Sequence, residues 1–235
     1  MSKLNMCIAK NICVVIPMHN EEQVVEEVIQ NLRHSFDNIL VVDDGSTDGS
    51  SQILSRLDVN VLTHCINLGQ GAAITTAFQY LEEYRSPDIV GLVTCDADGQ
   101  HSTQDIISLA EELLNCEEDI ILGSRFLGHK KNIPFIRRWV LNLAARLTKF
   151  VTGVNLTDTH NGLKAIKMSA VLKFNIRTHG YAFETELITE IANHRLKYKE
   201  MPTNIVYTKY SMQKGQTLRN GLVILEDLVT LVTRS

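Results

Sequence analysis

Paired cysteines, long apolar runs, glycine-rich phosphate loops and an excess of one charge are all missing from this sequence. Five cysteines are present, at Cys7, Cys13, Cys65, Cys95 and Cys116. None stands in a C-x-x-C pair and the count is odd, which argues against a disulfide framework or a zinc site and for reduced thiols in a cytosolic compartment. No basic-then-apolar leader pattern opens the chain, and the run from Ile12 to Pro17 is too short for a signal peptide or a membrane span. Glu226 and Asp227 interrupt the apolar pattern that starts near Leu218, so that stretch does not read as a bilayer helix either. The formal net charge is −4, which gives no electrostatic reason to expect a nucleic-acid partner. Repeats and low-complexity segments are absent.

What remains is an ordinary globular composition, 44% hydrophobic and 21% charged over 235 residues, enough for one α/β domain with a sizeable core. The domain is expected to span 1–235, with a nucleotide-binding half to about residue 125 and an acceptor-binding half beyond it. Apolar, β-branched runs occur at Ile12–Ile16, Ile39–Val42, Val59–Thr63, Ile89–Thr94 and Asp119–Gly123. Helical spacing lies between them, as in Val24, Val25, Val28, Ile29 and Leu32 after a possible Asn20 cap, and again from Ile106 to Leu114. Such alternation predicts an α/β fold with a mostly parallel, Rossmann-like sheet flanked by helices. The second half carries a predicted helix over 134–151, a short strand near Leu163–Ile166 and a helix from Phe183 to Arg195. Extended runs follow near Tyr198–Met201 and Ile205–Thr208, then the C-terminal helix.

Polar clusters fall at the carboxyl end of every strand in the first half, where open α/β sheets bind ligands. They are His19-Asn20-Glu21, Asp43-Asp44-Gly45-Ser46, Asn67 to Gly71, Asp96 to Gln100, and Ser124-Arg125. Asp96 and Asp98 leave the fourth strand as alternate residues, and their hard oxygens suit Mg2+ or Mn2+ bridging a diphosphate; Gln100 offers a further oxygen. A plain Asp/Gly turn is the competing account of the same residues. Asp43 is read as an acceptor for a base or ribose, with Asp44-Gly45-Ser46 as a turn and Asp48 as a helix cap. Asn67 to Gly71 opens a helix whose glycines let backbone amides approach a phosphate, although a ligand-free helix start has the same pattern. His101 and His160 are expected beside the site as supporting or capping residues, since hard cations prefer oxygen.

Taken together, the strings Val15 to Glu22, Val41 to Gly49, Asn67 to Gly71, Cys95 to Gln100, Gly123 to Phe126 and Asp158 to Lys164 resemble glycosyltransferase family 2. This is the inverting, GT-A family, and the likeness is strongest to its dolichyl- or polyprenyl-phosphate mannosyltransferase branch. The resemblance spans roughly residues 12–215. It implies that Pro17, His19, Glu21, Val41, Gly69 and Ala97 line the nucleotide, that Asp43 holds the base, and that Asp96, Asp98 and Gln100 engage metal and diphosphate. Arg125 would contact phosphate, and Lys214 would belong to a basic segment that closes over the donor. The family's usual aromatic is replaced here by His19. For a hydroxyl acceptor the expected base is Asp158, with Glu184 and Glu186 as further candidates; these two lie two apart on a helix and do not share a face. A lipid phosphate is already anionic and needs positioning more than deprotonation.

The implied partners are a nucleotide-diphosphate sugar and a lipid-linked acceptor, with no nucleic acid, and a homo-oligomer is allowed. The 134–151 helix, with Trp139, Arg137, Arg138, Arg146 and Lys149, fits either an interfacial membrane surface or core packing, and the C-terminal helix fits these or a membrane-protein partner. A cytoplasmic protein, peripheral on the cytoplasmic membrane face, is therefore expected. A glycosyltransferase acting on a sugar or protein hydroxyl and a non-catalytic sugar-nucleotide module are the alternatives. A sugar nucleotidyltransferase is disfavoured, because Pro17-Met18-His19-Asn20 stands where its glycine-rich G-T-R loop belongs.

Overall fold

The computed structural model describes residues 3–127, 135–176 and 182–205. In chain order these form α1 (Lys3–Asn11), β1 (Ile12–Met18), α2 (Val25–Arg33), β2 (Asn38–Asp43), α3 (Ser50–Leu54) and β3 (Asn60–Thr63). Next come α4 (Gln70–Tyr84), β4 (Gly91–Thr94), α5 (Thr103–Asn115), β5 (Ile120–Ser124) and α6 (Phe135–Thr152). The described elements end with β6 (Lys164–Lys167), α7 (Met168–Val171), α8 (Ala182–Asn193) and β7 (Tyr198–Pro202). Lys214 and the C-terminal helix expected from Leu218 lie outside the described residues, as does the extended run beyond Ile205.

The sheet has seven strands in the order β3-β2-β1-β4-β6-β5-β7. Strands covered on both faces read as unbroken apolar runs, and β1 is buried at all seven positions. One face carries Ala73, Ile74, Phe78, Phe183 and Leu187 from α4 and α8. The other carries Ile8, Val25, Ile29, Ile106 and Leu109 from α1, α2 and α5. A proline inside a central strand normally costs a ladder bond. Here Val15 O accepts from Cys95 N, so residues of that parity face β4, and β4 pairs no further along β1 than Val15. Pro17 lies past that limit, where its missing N–H is not needed.

Only β6 breaks the parallel pattern among the described strands. It pairs antiparallel with both β4 and β5, Lys164 standing opposite Thr94 and Leu122. Entering from the carboxyl side of its neighbours, β6 delivers the preceding loop, residues 158–163, to the rim where the first-half clusters already lie. Strands of the two expected halves thus interleave in one sheet.

Two helix details differ from the sequence reading. Val24, not Asn20, precedes α2, and no side chain caps it. Asn20 adopts φ 55 and its Oδ1 accepts from Thr47 N at 2.7 Å and Asp48 N at 3.3 Å, so it ties the loops after β1 and β2 together. Asp48 sits one residue outside the Gly49 cap of α3, although its Oδ1 accepts from Ser50 N at 2.9 Å. In α6 the described side chains are amphipathic, with Ala145 and Thr148 buried and Arg146, Lys149 and Phe150 exposed. No helix among the described residues is long and apolar enough to cross a membrane.

Candidate active site

The loop after β4 is built to hold two carboxylates at the rim. Gly99 takes the turn at φ 72, a conformation that suits residues without Cβ. Ser102 then caps α5 by accepting from Asp105 N at 3.1 Å, a bond of the kind that stabilises a helix start by about 1 kcal/mol. Asp96 is partly open, its side chain 35% exposed. Its Oδ1 accepts from Gln70 Nε2 at 2.7 Å and its Oδ2 from His101 Nε2 at 3.3 Å. The carboxylate rests against the backbone of Gly162, where an added Cβ would lie 2.5 Å from Oδ2. Burial is the largest influence on the Asp96 carboxyl and pushes it up, but the His101 hydrogen bond and charge, with Lys164 and Gln70, outweigh it and hold the group below its ordinary value.

Asp98 is the opposite case. Burial, then the charge of Asp96, push its carboxyl up to about 6. Its Oδ2 accepts from Gln100 Nε2 at 2.5 Å, so Gln100 turns its nitrogen, not its oxygen, toward this acid. Two crowded carboxylates that repel each other's ionisation fit a divalent cation. Among the described residues no three His, Cys, Asp or Glu side chains form a metal-holding group. A cation at Asp96 and Asp98 would therefore draw its other ligands from substrate oxygens and water, the usual habit of Mg2+ at phosphates.

The acidic pair after β2 is spent on the fold. Asp43 has no exposed surface, and its carboxylate accepts from Ser46 N at 3.0 Å and Ser51 Oγ at 2.5 Å. Asp44, 3% exposed, accepts from Leu68 N, Gly69 N and His64 Nδ1 at 2.9, 2.7 and 2.7 Å. These bonds pull the Asn67–Gly71 loop onto the loop after β2, and Gly45 makes the approach possible, since a Cβ there would lie 2.5 Å from the Ile66 carbonyl carbon. Asp43, expected at a base, has a side chain that forms the turn. Pro17, Val41, Ala97 and Glu21 are also buried. His19, Glu21, Gly69, Asp96, Asp98 and Gln100 gather at the rim. His19 donates from Nδ1 to Asp44 O at 2.9 Å, and its Nε2 accepts from Asn20 Nδ2 at 3.2 Å.

The loop before β6 carries the preferred base candidate. Asp158, 3% exposed, is held by Arg125 in a fork of two 2.7 Å bonds and by Arg125 N at 3.1 Å. Arg125 Nη2 also donates to His160 O at 2.7 Å. Burial pushes the Asp158 carboxyl up, yet the Arg125 charge and hydrogen bonds prevail and keep it below the ordinary carboxylate range. A buried anion with a depressed pKa is a poor proton acceptor, and the Arg125 guanidinium, expected at a phosphate, is engaged with Asp158 and the His160 carbonyl. Glu184 is likewise ion-paired, with Lys164 Nζ 2.8 Å from its Oε1. His160 contacts Thr159 Oγ1 through Nδ1 at 2.8 Å, and burial lowers its pKa to about 4.

Gln70, Gly162 and Lys164 are the site residues that pattern reading left without a role. Each stood inside a recognised string, Asn67 to Gly71 or Asp158 to Lys164, but no spacing rule pairs them with Asp96.

The profile of Glycosyl transferase family 2 matches residues 13–174, most of the chain and every element of this rim up to β6. The chain belongs to glycosyl transferase family 2. Among relatives of this family-2 protein, an uncharacterized protein of Methanocaldococcus jannaschii is 34% identical over 97% of this chain and 95% of its own length. A UDP-N-acetylglucosamine–dolichyl-phosphate N-acetylglucosaminyltransferase of Methanococcus voltae is 33% identical over 94% of this chain and 96% of its own. In fold, the chain is similar to glucosyl-3-phosphoglycerate synthase from Mycobacterium tuberculosis, solved with Mn2+ and UDP-glucose, with a TM-score of 0.72 and 18% identity over 98% of this chain and 80% of that one. The architecture is accordingly GT-A, and the protein is a glycosyltransferase.

Proposed function

We propose that this family-2 enzyme transfers a sugar, with inversion, from a nucleoside-diphosphate sugar to a polyprenyl phosphate. One observation carries the acceptor: Asp158, the preferred base candidate, and Glu184 are buried in ion pairs with Arg125 and Lys164, and Glu186, the third candidate, is half-buried on α8. A hydroxyl nucleophile would need one of them within reach as a proton acceptor. A phosphate monoester is anionic at neutral pH and needs none. The Methanococcus voltae relative, named for transfer to dolichyl phosphate, supports the same reading.

Asp96 and Asp98 would hold Mg2+ or Mn2+ together with the donor diphosphate, and that cation would supply charge neutralisation as the nucleotide departs. The remaining work falls to the chain. Gln70 and His101 fix the direction of Asp96, and Gly162 leaves the space that its carboxylate fills. His19, Glu21 and Gly69 border the nucleotide side of the rim. The Arg125–Asp158 pair positions the loop that carries Gly162 and Lys164, and Lys164 places its charge beside Asp96. Lys214, beyond the described residues, is assigned to a basic segment over the donor.

The test is transfer of radiolabelled sugar from UDP- or GDP-linked donors, with Mg2+ or Mn2+, into an organic-extractable product. Polyprenyl phosphate is expected to accept and the matching polyprenol to fail. Equal transfer to the polyprenol, or to a soluble sugar hydroxyl, would refute the phosphate acceptor.

A further inference from the structure

The Lys164–Glu184 pair has one end left over. Lys164, 4% exposed, opens β6 level with the carboxyl ends of β4 and β5, and Glu184, 8% exposed, faces it from the first turn of α8. Lys164 Nζ donates to Asn161 O at 2.5 Å and to Glu184 Oε1 at 2.8 Å. Glu184 Oε2 is buried and has no hydrogen-bond partner among the described residues. A buried carboxylate oxygen without a donor is unfavourable, and native structures rarely keep one unless something else supplies the hydrogen. Burial pushes the Glu184 carboxyl up, Lys164 opposes this, and the charges of Asp96 and Asp158 push it up further; Glu184 therefore lies within electrostatic range of the acid that takes the diphosphate in the reading above.

We propose that Glu184 selects the donor sugar: its unpartnered Oε2 accepts a hydrogen bond from a hydroxyl or amide N–H of the sugar being transferred, and its charge excludes sugars that bear a carboxylate there. The inference rests on the proposed placement of the diphosphate at Asp96 and Asp98, since the sugar is the next group along the donor. An ion-paired carboxylate suits this task better than proton removal, and an anionic acceptor asks for no base. Sites built around a substrate hydrogen bond reject analogues lacking it far more strongly than apolar pockets reject a missing methylene. Like charges add rejection by repulsion. The donor class is a neutral hexose or acetamido-hexose, and uronic acids are excluded.

The test is calorimetric binding in Mn2+ of the best-bound nucleoside diphosphate among UDP, GDP, CDP and dTDP, of its glucosyl, N-acetylglucosaminyl, mannosyl and uronosyl conjugates, and of conjugates of the preferred sugar deoxygenated at one position at a time. In the wild type, one deoxy position is expected to weaken binding about tenfold or more, and the uronosyl conjugate to bind at least tenfold more weakly than the neutral sugars. In Glu184→Gln the free nucleotide should bind as in the wild type while the uronosyl penalty disappears. The deoxy penalty should shrink as well, a non-additivity that a purely structural role would not produce. Because Glu184→Gln strands a buried lysine, Glu184→Asp, which keeps a charge opposite Lys164 and withdraws the carboxylate by one methylene, provides a folded alternative. Unchanged penalties in both variants, with nucleotide binding intact, overturn the proposal; so does a wild type that binds none of the nucleotides. Intact sugar selection with failure to glycosylate polyprenyl phosphate overturns the acceptor reading alone.

Discussion

Adding one methyl group at Gly162 should disable the site while leaving the fold nearly as stable. A Cβ there would lie 2.5 Å from Asp96 Oδ2, 2.6 Å from Oδ1 and 2.8 Å from Cγ, well inside the roughly 3.5 Å at which non-bonded atoms rest. The obstacle is the end of a side chain, so the carboxylate can swing aside by about 1 Å. It would then give up its bonds to Gln70 and His101. Hydrogen bonds to charged groups contribute roughly 1.5–3 kcal/mol, but a side chain 35% exposed regains much of that from water, and about 1–2 kcal/mol in total is the expected loss. Gly162 is not among the glycines with positive φ, so alanine also recovers about 0.4–1 kcal/mol through the unfolded chain. The net cost is about 1 kcal/mol, a shift of about 2–4 °C in Tm for a chain of this size. Affinity for UDP with Mn2+, in contrast, should fall by about 10–100-fold, the range seen when residues that orient metal ligands are lost. Thermal melts and titration calorimetry read the two effects separately. Gly45→Ala is the control, because its Cβ would meet backbone, Ile66 C at 2.5 Å and Asn67 N at 2.7 Å, at φ +67; it should lose several kcal/mol of stability. Wild-type affinity in a folded Gly162→Ala protein would refute the assigned position of Asp96.

Asp98→Asn should abolish Mn2+-dependent UDP binding in calorimetry while raising metal-free stability at neutral pH by about 1–2 kcal/mol. The sign follows from a folded-state carboxyl raised to about 6 against 3.8: the penalty is present above pH 6, shrinks as pH falls, and is gone below about 4, where the variant and wild type should coincide. His160 runs the other way. With its folded pKa lowered from 6.5 to about 4, the unfolded chain binds the proton first, so stability is lost as pH falls through this window, by at most about 3 kcal/mol; His160→Gln should flatten that part of the denaturation profile. Asp158→Asn leaves Arg125 buried without its counter-charge and should cost about 3–5 kcal/mol in denaturant melts, whereas a stable Asp158→Asn protein that had lost only turnover would restore Asp158 as a base.

The strands of the first half were legible because a strand buried on both faces must be apolar along its whole length, and β1, β2, β4 and β5 all announce themselves this way. Asp96 and Asp98 were legible for a related reason, since acids directly after such a strand stand at a crevice. Asp43 and Asp44 share that local pattern and go the other way. What separates the two pairs is what packs opposite: Ser46, Ser51, Leu68, Gly69 and His64 supply donors after β2, while after β4, among the described residues, Gln70, Gln100 and His101 do.

The amino-acid sequence by itself determined the layered α/β plan and the chemistry available at the rim, because hydrophobic periodicity and residue type are local properties. Tertiary structure decided how that chemistry is used. Whether a carboxylate is a ligand, a turn former or half of an ion pair depends on partners such as Arg125 and Asp158, 33 positions apart, or Lys164 and Glu184, 20 apart. Those meetings follow from the antiparallel insertion of β6 between β4 and β5, and strand direction is fixed by how the chain packs as a whole, since a four-residue segment such as Lys-Ala-Ile-Lys reads the same in either orientation.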